Sequence, residues 1–294
     1  MFFLTTLFLF LFIFQPKPAQ ASNSIPLFYQ LIQAYKPNNI ISSNNLTVIN
    51  NQIPTSVSSP PIASIPLSRT NSDKSEEIIT IAVLGDSMID TLGTNIPQLQ
   101  RALTPYFPGK KIKILNYGTS ATTMEYALSR LTKDYQYLNK PVSSLISQSP
   151  DVVIIESFAY NNFGNTQSGY DKQSQLITSI ISTIHDKLPK ANILLAATFS
   201  PNSMIFANGS SDIKLNNLEK VERTKTIKNY LQNFINYAKD HHIPVADAYH
   251  PSLIQNDGNR NLINSKDNIH PSSYGGEFFC NILAKALFDN HLIP

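Results

Sequence analysis

From residue 78 onward, apolar residues come in two kinds of run that alternate along the chain. Short continuous blocks at 78–84, 112–115, 152–155, 193–197 and 243–246 do not alternate with polar residues. Such blocks predict strands buried on both faces, as at the centre of a parallel sheet. Between them lie helix-like stretches, at about 96–106, 123–138, 142–148, 172–188 and 218–241. The period is clearest where Leu176, Ile177, Ile180, Ile181 and Ile184 share one helical face, and again at Ile227, Tyr230, Leu231, Phe234 and Ala238. A last helix is predicted after Pro271, with Ser272 and Ser273 at its start and Phe279, Ile282, Leu283 and Leu287 on its buried face. This alternation predicts an α/β fold, a three-layer α/β/α sandwich around a five-stranded parallel sheet, and residues 78–294 suffice for one such domain. The polar stretch 202–217, which contains Gly209, is predicted to be a long surface loop.

Upstream of residue 78 the pattern changes. Residues 2–14 form an apolar block too short to span a bilayer, and Ala19-Gln20-Ala21 supplies a small-x-small cleavage pattern behind it. Residues 1–21 are therefore expected to act in export, to the extracellular space or the cell envelope. No basic residue precedes the block, so a retained N-terminal membrane or envelope anchor is the alternative to a cleaved signal. Residues 22–77 are rich in Asn, Ser and Pro and read as a linker. Within them Leu27, Phe28, Leu31, Ile32 and Tyr35 share one helical face, which suits docking on the main domain or on a partner.

Composition narrows the chemistry. A net charge of +3 over 294 residues is mild, and the densest basic group, Lys220, Arg223, Lys225 and Lys228, has helical spacing. It reads as a solvated helix face, and no nucleic-acid partner is expected. Cys280 is the only cysteine, which excludes an intrachain disulfide, a thiolate metal site and a CxxC redox site. It lies in an apolar stretch and reads as a buried small hydrophobe.

The first apolar block ends abruptly at Gly85-Asp86-Ser87. Open α/β sheets place their ligands at the carboxyl ends of their strands, so Ser87 is the leading candidate nucleophile. A serine hydroxyl needs a base, a group that orients the base, and donors for the oxyanion. Asp267-Asn268-Ile269-His270, just before the last helix, supplies a carboxylate and an imidazole at turn spacing. Of the other histidines, His250 after the fifth strand is the one with a comparable position. Gly118 after the second strand and Asn161 after the third are candidate oxyanion donors, through a backbone N–H and a side-chain amide.

These four ordered blocks, Gly85-Asp86-Ser87, Gly118, Asn161 and Asp267-x-x-His270, resemble those of the SGNH hydrolase (GDSL-like lipase/esterase) family, and the resemblance spans residues 78–294. It implies a flavodoxin-like sheet, Ser87 as nucleophile, His270 as base and Asp267 as its orienter. The oxyanion donors it implies are the Ser87 N–H, the Gly118 N–H and the Asn161 side chain, with Asp86 shaping the nucleophile turn. The third block departs from the usual Gly-x-Asn-Asp: it reads Ala159-Tyr160-Asn161-Asn162, so Asn162 competes with Asn161 for the donor role and Tyr160 reshapes the adjoining wall.

The activity expected is serine-esterase hydrolysis of an acetyl or other short acyl ester, on a small molecule or an envelope glycan, through an acyl-enzyme and without metal or organic cofactor. Transfer of the acyl group to a sugar on the same triad, and a weakly catalytic glycan-binding role, are the competing expectations.

Overall fold

The computed structural model describes residues 78–294; the leader, the linker and the apolar face from Leu27 to Tyr35 lie outside the described residues. The chain runs β1 (Ile78–Gly85), α1 (Ser87–Asp90), α2 (Pro97–Leu103), β2 (Lys111–Gly118) and α3 (Met124–Thr132). A hairpin of β3 (Tyr135–Tyr137) and β4 (Lys140–Val142) follows, then β5 (Val152–Glu156), α4 (Gln167–Lys187) and β6 (Asn192–Ala197). The last elements are α5 (Asn217–Asp240), β7 (Val245–Asp247) and α6 (Ser273–Asp289).

Five of these strands form one sheet in the order β2-β1-β5-β6-β7, with every neighbouring pair parallel. This is the doubly wound three-layer sandwich expected from the alternation of blocks. Side chains of successive strand residues point to opposite faces, so each central strand feeds two cores. Leu84, Val153, Ile155 and Leu195 pack beneath α3, α4 and α5, whereas Ile81, Val83, Ile154 and Leu194 pack against α2 and α6. Ile81, Val83 and Leu84 are wholly shielded from water, each burial contributing about 1.5–3 kcal/mol. The first wind of the sheet lies between β1 and β2 and the second runs through β5, so the switch point falls at the carboxyl end of β1.

Four local expectations change. The predicted helix over 123–138 stops at Thr132, and of the one predicted over 142–148 only a 3-10 turn at Ile146–Gln148 forms: the β3/β4 hairpin replaces the end of one and the start of the other. Leu138 and Asn139 both have positive φ (49° and 60°), the two-residue turn that suits a tight hairpin, and Asp134 Oδ1 accepts the Ser144 N–H at 2.8 Å to close its base. The fifth sheet strand begins at Val245 and not at Ile243, because the Ile243 N–H is donated to Ala238 O at the end of α5 and Pro244 has none to give. The stretch 202–217 is a packed loop, with Asn202, Phe206, Ala207 and Ser210 buried. The basic face of α5 is not simply solvated. Arg223 Nη2 donates to Tyr160 O at 2.7 Å, Lys228 pairs with Asp257 at 2.7 Å and Lys220 bonds Asn208, so three of these cations tie α5 to neighbouring loops. Cys280 is buried in α6 as expected, and burial pushes its thiol up to about 12.

Candidate active site

β1 ends in a turn that only a particular sequence can make. Asp86 leaves the strand and caps α1, its Oδ1 accepting the Met88 N–H at 2.9 Å, a cap contributing about 1 kcal/mol. Ser87 is thereby the first helical residue, at the carboxyl edge of the sheet. Its N–H is one of the leading helix donors, and it has no acceptor among the described residues. Gly85 is demanded by space: a Cβ there would lie 2.2 Å from Ile89 Cγ1 and 3.1 Å from Glu156 Cβ.

The imidazole and its carboxylate come from the loop before α6. Asp267 Oδ1 accepts the N–H groups of Ile269 (2.8 Å) and His270 (3.0 Å), while Oδ2 lies 3.1 Å from His270 Nδ1. The turn is held from outside as well. Asn268 sits at φ 58°, its N–H donates to Asn264 O, and the Ala207 N–H reaches across to Asn268 O at 3.2 Å. Gly209 makes that approach feasible, since a Cβ there would meet Lys266 O at 1.9 Å. Burial by itself would raise the Asp267 carboxyl, but the His270 ring and the two backbone donors more than offset it and hold Asp267 below the usual carboxylate range.

The serine turn and the histidine loop meet. Met88 packs with Leu262, Ile263 and Phe199 in one buried cluster, and Ile263 bridges to Pro271, the residue after His270. Electrostatics agrees: burial raises the Asp86 carboxyl above its usual range, against the pull of the Met88 N–H, the His270 ring and Arg130. Ser87, Asp267 and His270 thus share one end of the sheet, next to its switch point.

The two donors expected from the second and third strands fare differently. The N–H of Gly118 is donated to Asn116 Oδ1 at 2.7 Å. What Gly118 provides is room, because a Cβ there would sit 2.2 Å from the Asp90 backbone nitrogen of α1. The free amide of this turn is three residues on. Ala121 has φ 56°, and its N–H finds no acceptor among the described residues. Asn161 lies against the same turn, its Oδ1 accepting the Met124 N–H at 2.8 Å and its Nδ2 3.5 Å from Thr122 O. Because Met124 N–H can only donate, the orientation of the Asn161 amide is fixed and Nδ2 is left almost free. Asn162 turns away and accepts the Gly164 N–H at 3.1 Å.

Several residues that shape this edge were not singled out from the sequence. Asp90 Oδ2 accepts the Ser120 hydroxyl at 2.5 Å and the Tyr137 hydroxyl, which clamps the 119–123 turn and the hairpin to α1. Arg130 is fully buried and donates to Gly85 O (3.1 Å), Tyr117 O (2.6 Å) and Thr119 Oγ1, so one guanidinium ties the ends of β1 and β2. Its signal was visible, since an arginine falls three residues after Ala127 and next to Leu131 on the apolar side of α3. A second Asp-x-x-His pair, Asp247 with His250 at 2.6 Å, ends β7, but His250 Nε2 faces Gln232 Oε1 at 3.1 Å and the ring is half exposed.

A parallel sheet that brings a hydroxyl and an imidazole–carboxylate pair together at its carboxyl edge has the architecture of an SGNH-type ester hydrolase. Sequence gives that class an independent basis: residues 83–277 match the GDSL-like Lipase/Acylhydrolase family, and the chain belongs to it. Among solved structures, a lipase/acylhydrolase from Enterococcus faecalis is similar at 17% identity and a TM-score of 0.50, covering 74% of this chain and 97% of its own. An acetyl xylan esterase is similar at 16% identity and a TM-score of 0.51, covering 71% of this chain and all of its own. At these identities the likeness is one of fold. No curated protein matches the chain.

Proposed function

We propose that the protein is a serine esterase that works through an acyl-enzyme on Ser87, with His270 as base and Asp267 as its orienter. The observation that carries this reading is the Asp267–His270 contact at 3.1 Å, on a loop packed against the capped turn that presents Ser87. Ser87 Oγ attacks the ester carbonyl carbon while His270 Nε2 takes its proton, and the carbonyl π pair moves onto oxygen. Collapse of that intermediate breaks the bond to the leaving alcohol, which takes the proton back from His270. Water, deprotonated by the same nitrogen, then attacks the acyl carbon, and collapse of the second intermediate breaks the bond to Ser87 Oγ, which takes the proton from His270 as the carboxylic acid is released. The Asp267 carboxylate accepts from Nδ1–H throughout, which makes Nε2 the nitrogen that takes and returns the proton.

The oxyanion of both intermediates is stabilised by the Ser87 N–H, the Asn161 Nδ2 and, in place of Gly118, the Ala121 N–H. What supports this set is that each is a free or nearly free donor at the same edge. Preorganised donors of this kind are worth about 10²–10³ in rate apiece.

The acyl group is acetyl or another short chain. Support comes from the filled space beside Ser87, where Met88, Phe199, Leu262 and Ile263 are buried with Tyr160 and Phe278 packed on them, which leaves little room for a long acyl tail. An exported protein would meet such esters on envelope or extracellular glycans, and the export reading rests on residues 1–21 alone.

Fluorophosphonate labelling of the purified protein tests the mechanism. The expected result is one covalent adduct, lost in Ser87→Ala, with faster turnover of p-nitrophenyl acetate than of long-chain esters. No adduct and no turnover would sink the acyl-enzyme reading, and full activity in Ser87→Ala would sink the site. Mass spectrometry of the mature N-terminus decides the export reading: a start at Ser22 supports cleavage, and intact Met1 in a membrane fraction supports the anchor.

A further inference from the structure

A second carboxyl lies directly beneath the nucleophile turn, and the mechanism above does not use it. Glu156, the last residue of β5, is completely buried at the end of an otherwise apolar strand. Its Cβ is the atom that a Cβ on Gly85 would approach at 3.1 Å, so it lies under the turn that delivers Ser87. One of its oxygens, Oε1, receives the Ser157 hydroxyl at 2.7 Å, and the backbone N–H groups of Phe158 and Asp86 also face the carboxyl. The other oxygen, Oε2, is buried and accepts no hydrogen bond from the described residues.

The charges around it do not permit two anions. Asp86, from the cap of α1, is the nearest carboxyl, and Asp90 lies further along the same helix. Arg130 from α3 is the fixed cation of the region; its Nη1 and Nη2 donate to Gly85 O, Tyr117 O and Thr119 Oγ1, and its charge acts on Asp86. His270, from the loop before α6, likewise acts on Asp86. Tyr160, from the loop after β5, brings only a neutral hydroxyl, buried and without a partner among the described residues. One cation and one capped helix terminus can support one carboxylate, and Asp86, which accepts the Met88 N–H, is the group they support. An ionised Glu156 would be a buried charge with no cation of its own, which costs several kcal/mol.

We propose that Glu156 is a positioning residue that stays protonated throughout the working pH range, and that loss of its proton ends activity on the alkaline side. As a neutral acid it faces the Asp86 N–H and holds the Gly85–Asp86 peptide, one residue before Ser87, from below without adding charge. Once ionised, it sets a negative charge under the Ser87 N–H, the donor assigned to the oxyanion, and opposes the charge that develops there. Burial and the neighbouring Asp86 push the Glu156 carboxyl well above its ordinary range, in the direction this requires.

The activity arm rests on the esterase reading; the spectroscopic arm does not. In protein labelled with carboxyl-¹³C glutamate, one resonance should keep the chemical shift of a protonated acid at neutral pH, titrate only in the alkaline range and be missing in Glu156→Gln. If every glutamate titrates at an ordinary acidic pH, the proposal is overturned whether or not the protein hydrolyses esters, and wild-type protein alone suffices for that result. In the activity arm, Glu156→Gln keeps the neutral shape of the acid, so kcat/KM at neutral pH should stay within about threefold of wild type while the alkaline limb moves up by about one pH unit or more. A folded Glu156→Gln with a tenfold loss at neutral pH, or with an unmoved alkaline limb, would overturn the positioning role. A purely structural glutamate would change stability and leave that limb where it is.

Discussion

Gly85 and Gly118 are register partners on the last rung of β1 and β2, and α1 lies across both of them. A methyl group on Gly118 would sit 2.2 Å from the Asp90 backbone nitrogen and 2.7 Å from the Ile89 carbonyl carbon, neither of which can swing aside as a flexible side chain could. Gly118→Ala therefore has to lift α1, and Ser87 with it, off the end of the sheet. The expected outcome is a loss of about 1–3 kcal/mol of stability together with slower fluorophosphonate labelling of Ser87. Thermal denaturation and labelling rate measured on the same preparation check it; a variant with unchanged Tm and unchanged labelling would show that the turn has slack.

Asn161 and Asn162 are adjacent in sequence but differ in their partners. Asn161 faces the turn that begins α3 and keeps Nδ2 nearly free, whereas Asn162 is occupied by the Gly164 N–H. Asn161→Ala should lower kcat by about 10²–10³ with little change in KM. Some stability goes too, because the Met124 N–H loses its acceptor. Asn162→Ala should leave kcat within a factor of about two, since it removes only a loop contact. Steady-state kinetics on a short acyl ester separates the two; equal losses would mean that the Asn161 amide does not meet the oxyanion.

The sheet was legible because five apolar blocks without alternation can be little else than central parallel strands, and Ser87, Asp267 and His270 were legible because each stands where such a strand or the last helix changes direction. The β3/β4 hairpin was not. Tyr135 and Tyr137 fit a helical period as well as a strand, and the tight turn at Leu138-Asn139 carries no glycine to mark it. Gly118 was legible as a special glycine, but the clearance it gives α1 and the Asn116 side chain that takes its N–H were not. Sequence order cannot show the latter, since it lies in what Asn116 does with its own side chain two residues back. Glu156 was missed because a charged residue at the end of an apolar strand looks like the start of the next loop until its burial is seen, and Arg130 because an arginine on a helix is read as solvated although its neighbours Ala127 and Leu131 lie on the apolar side.

Tyr160 carries a buried hydroxyl with no hydrogen-bond partner among the described residues, beside a ring stacked on Phe206 at 6.4 Å. Burial, with the Asp86 and Glu156 carboxyls nearby, drives its pKa up, so the group is a neutral phenol at any relevant pH. An unpaired buried hydroxyl contributes nothing and costs its desolvation, about 1–3 kcal/mol. Tyr160→Phe keeps the ring and removes that cost, so its Tm should equal or exceed that of wild type. A Tm lowered by the equivalent of about 1 kcal/mol would mean that the hydroxyl is bonded in solution, through a buried water. Tyr160→Ala, in contrast, opens the wall beside Met88 and should raise the butyryl-to-acetyl ratio of kcat/KM even as stability falls.

Asp267 makes the sharpest pH prediction. Its folded pKa lies below the ordinary value, because the His270 ring and two backbone N–H groups outweigh the effect of burial. A group depressed in this way contributes stability that is fully present above its unfolded pKa, about 3.9, and that is lost as pH falls through the lower folded value. Wild-type Tm should therefore fall on the acid side of that window, and Asp267→Asn should flatten the fall, since an amide does not titrate. The same substitution should abolish most activity with the fold intact. An asparagine Oδ1 can still accept from Ile269 and His270, but its Nδ2 then faces His270 Nδ1, which favours the tautomer protonated on Nε2 and removes the base. The expected loss in kcat is on the order of 10³–10⁴ at neutral pH, regained in part under alkaline conditions. Tm and kcat measured against pH for both proteins test the two halves separately; an Asp267→Asn enzyme with wild-type kcat at neutral pH would mean that His270 does not need this carboxylate.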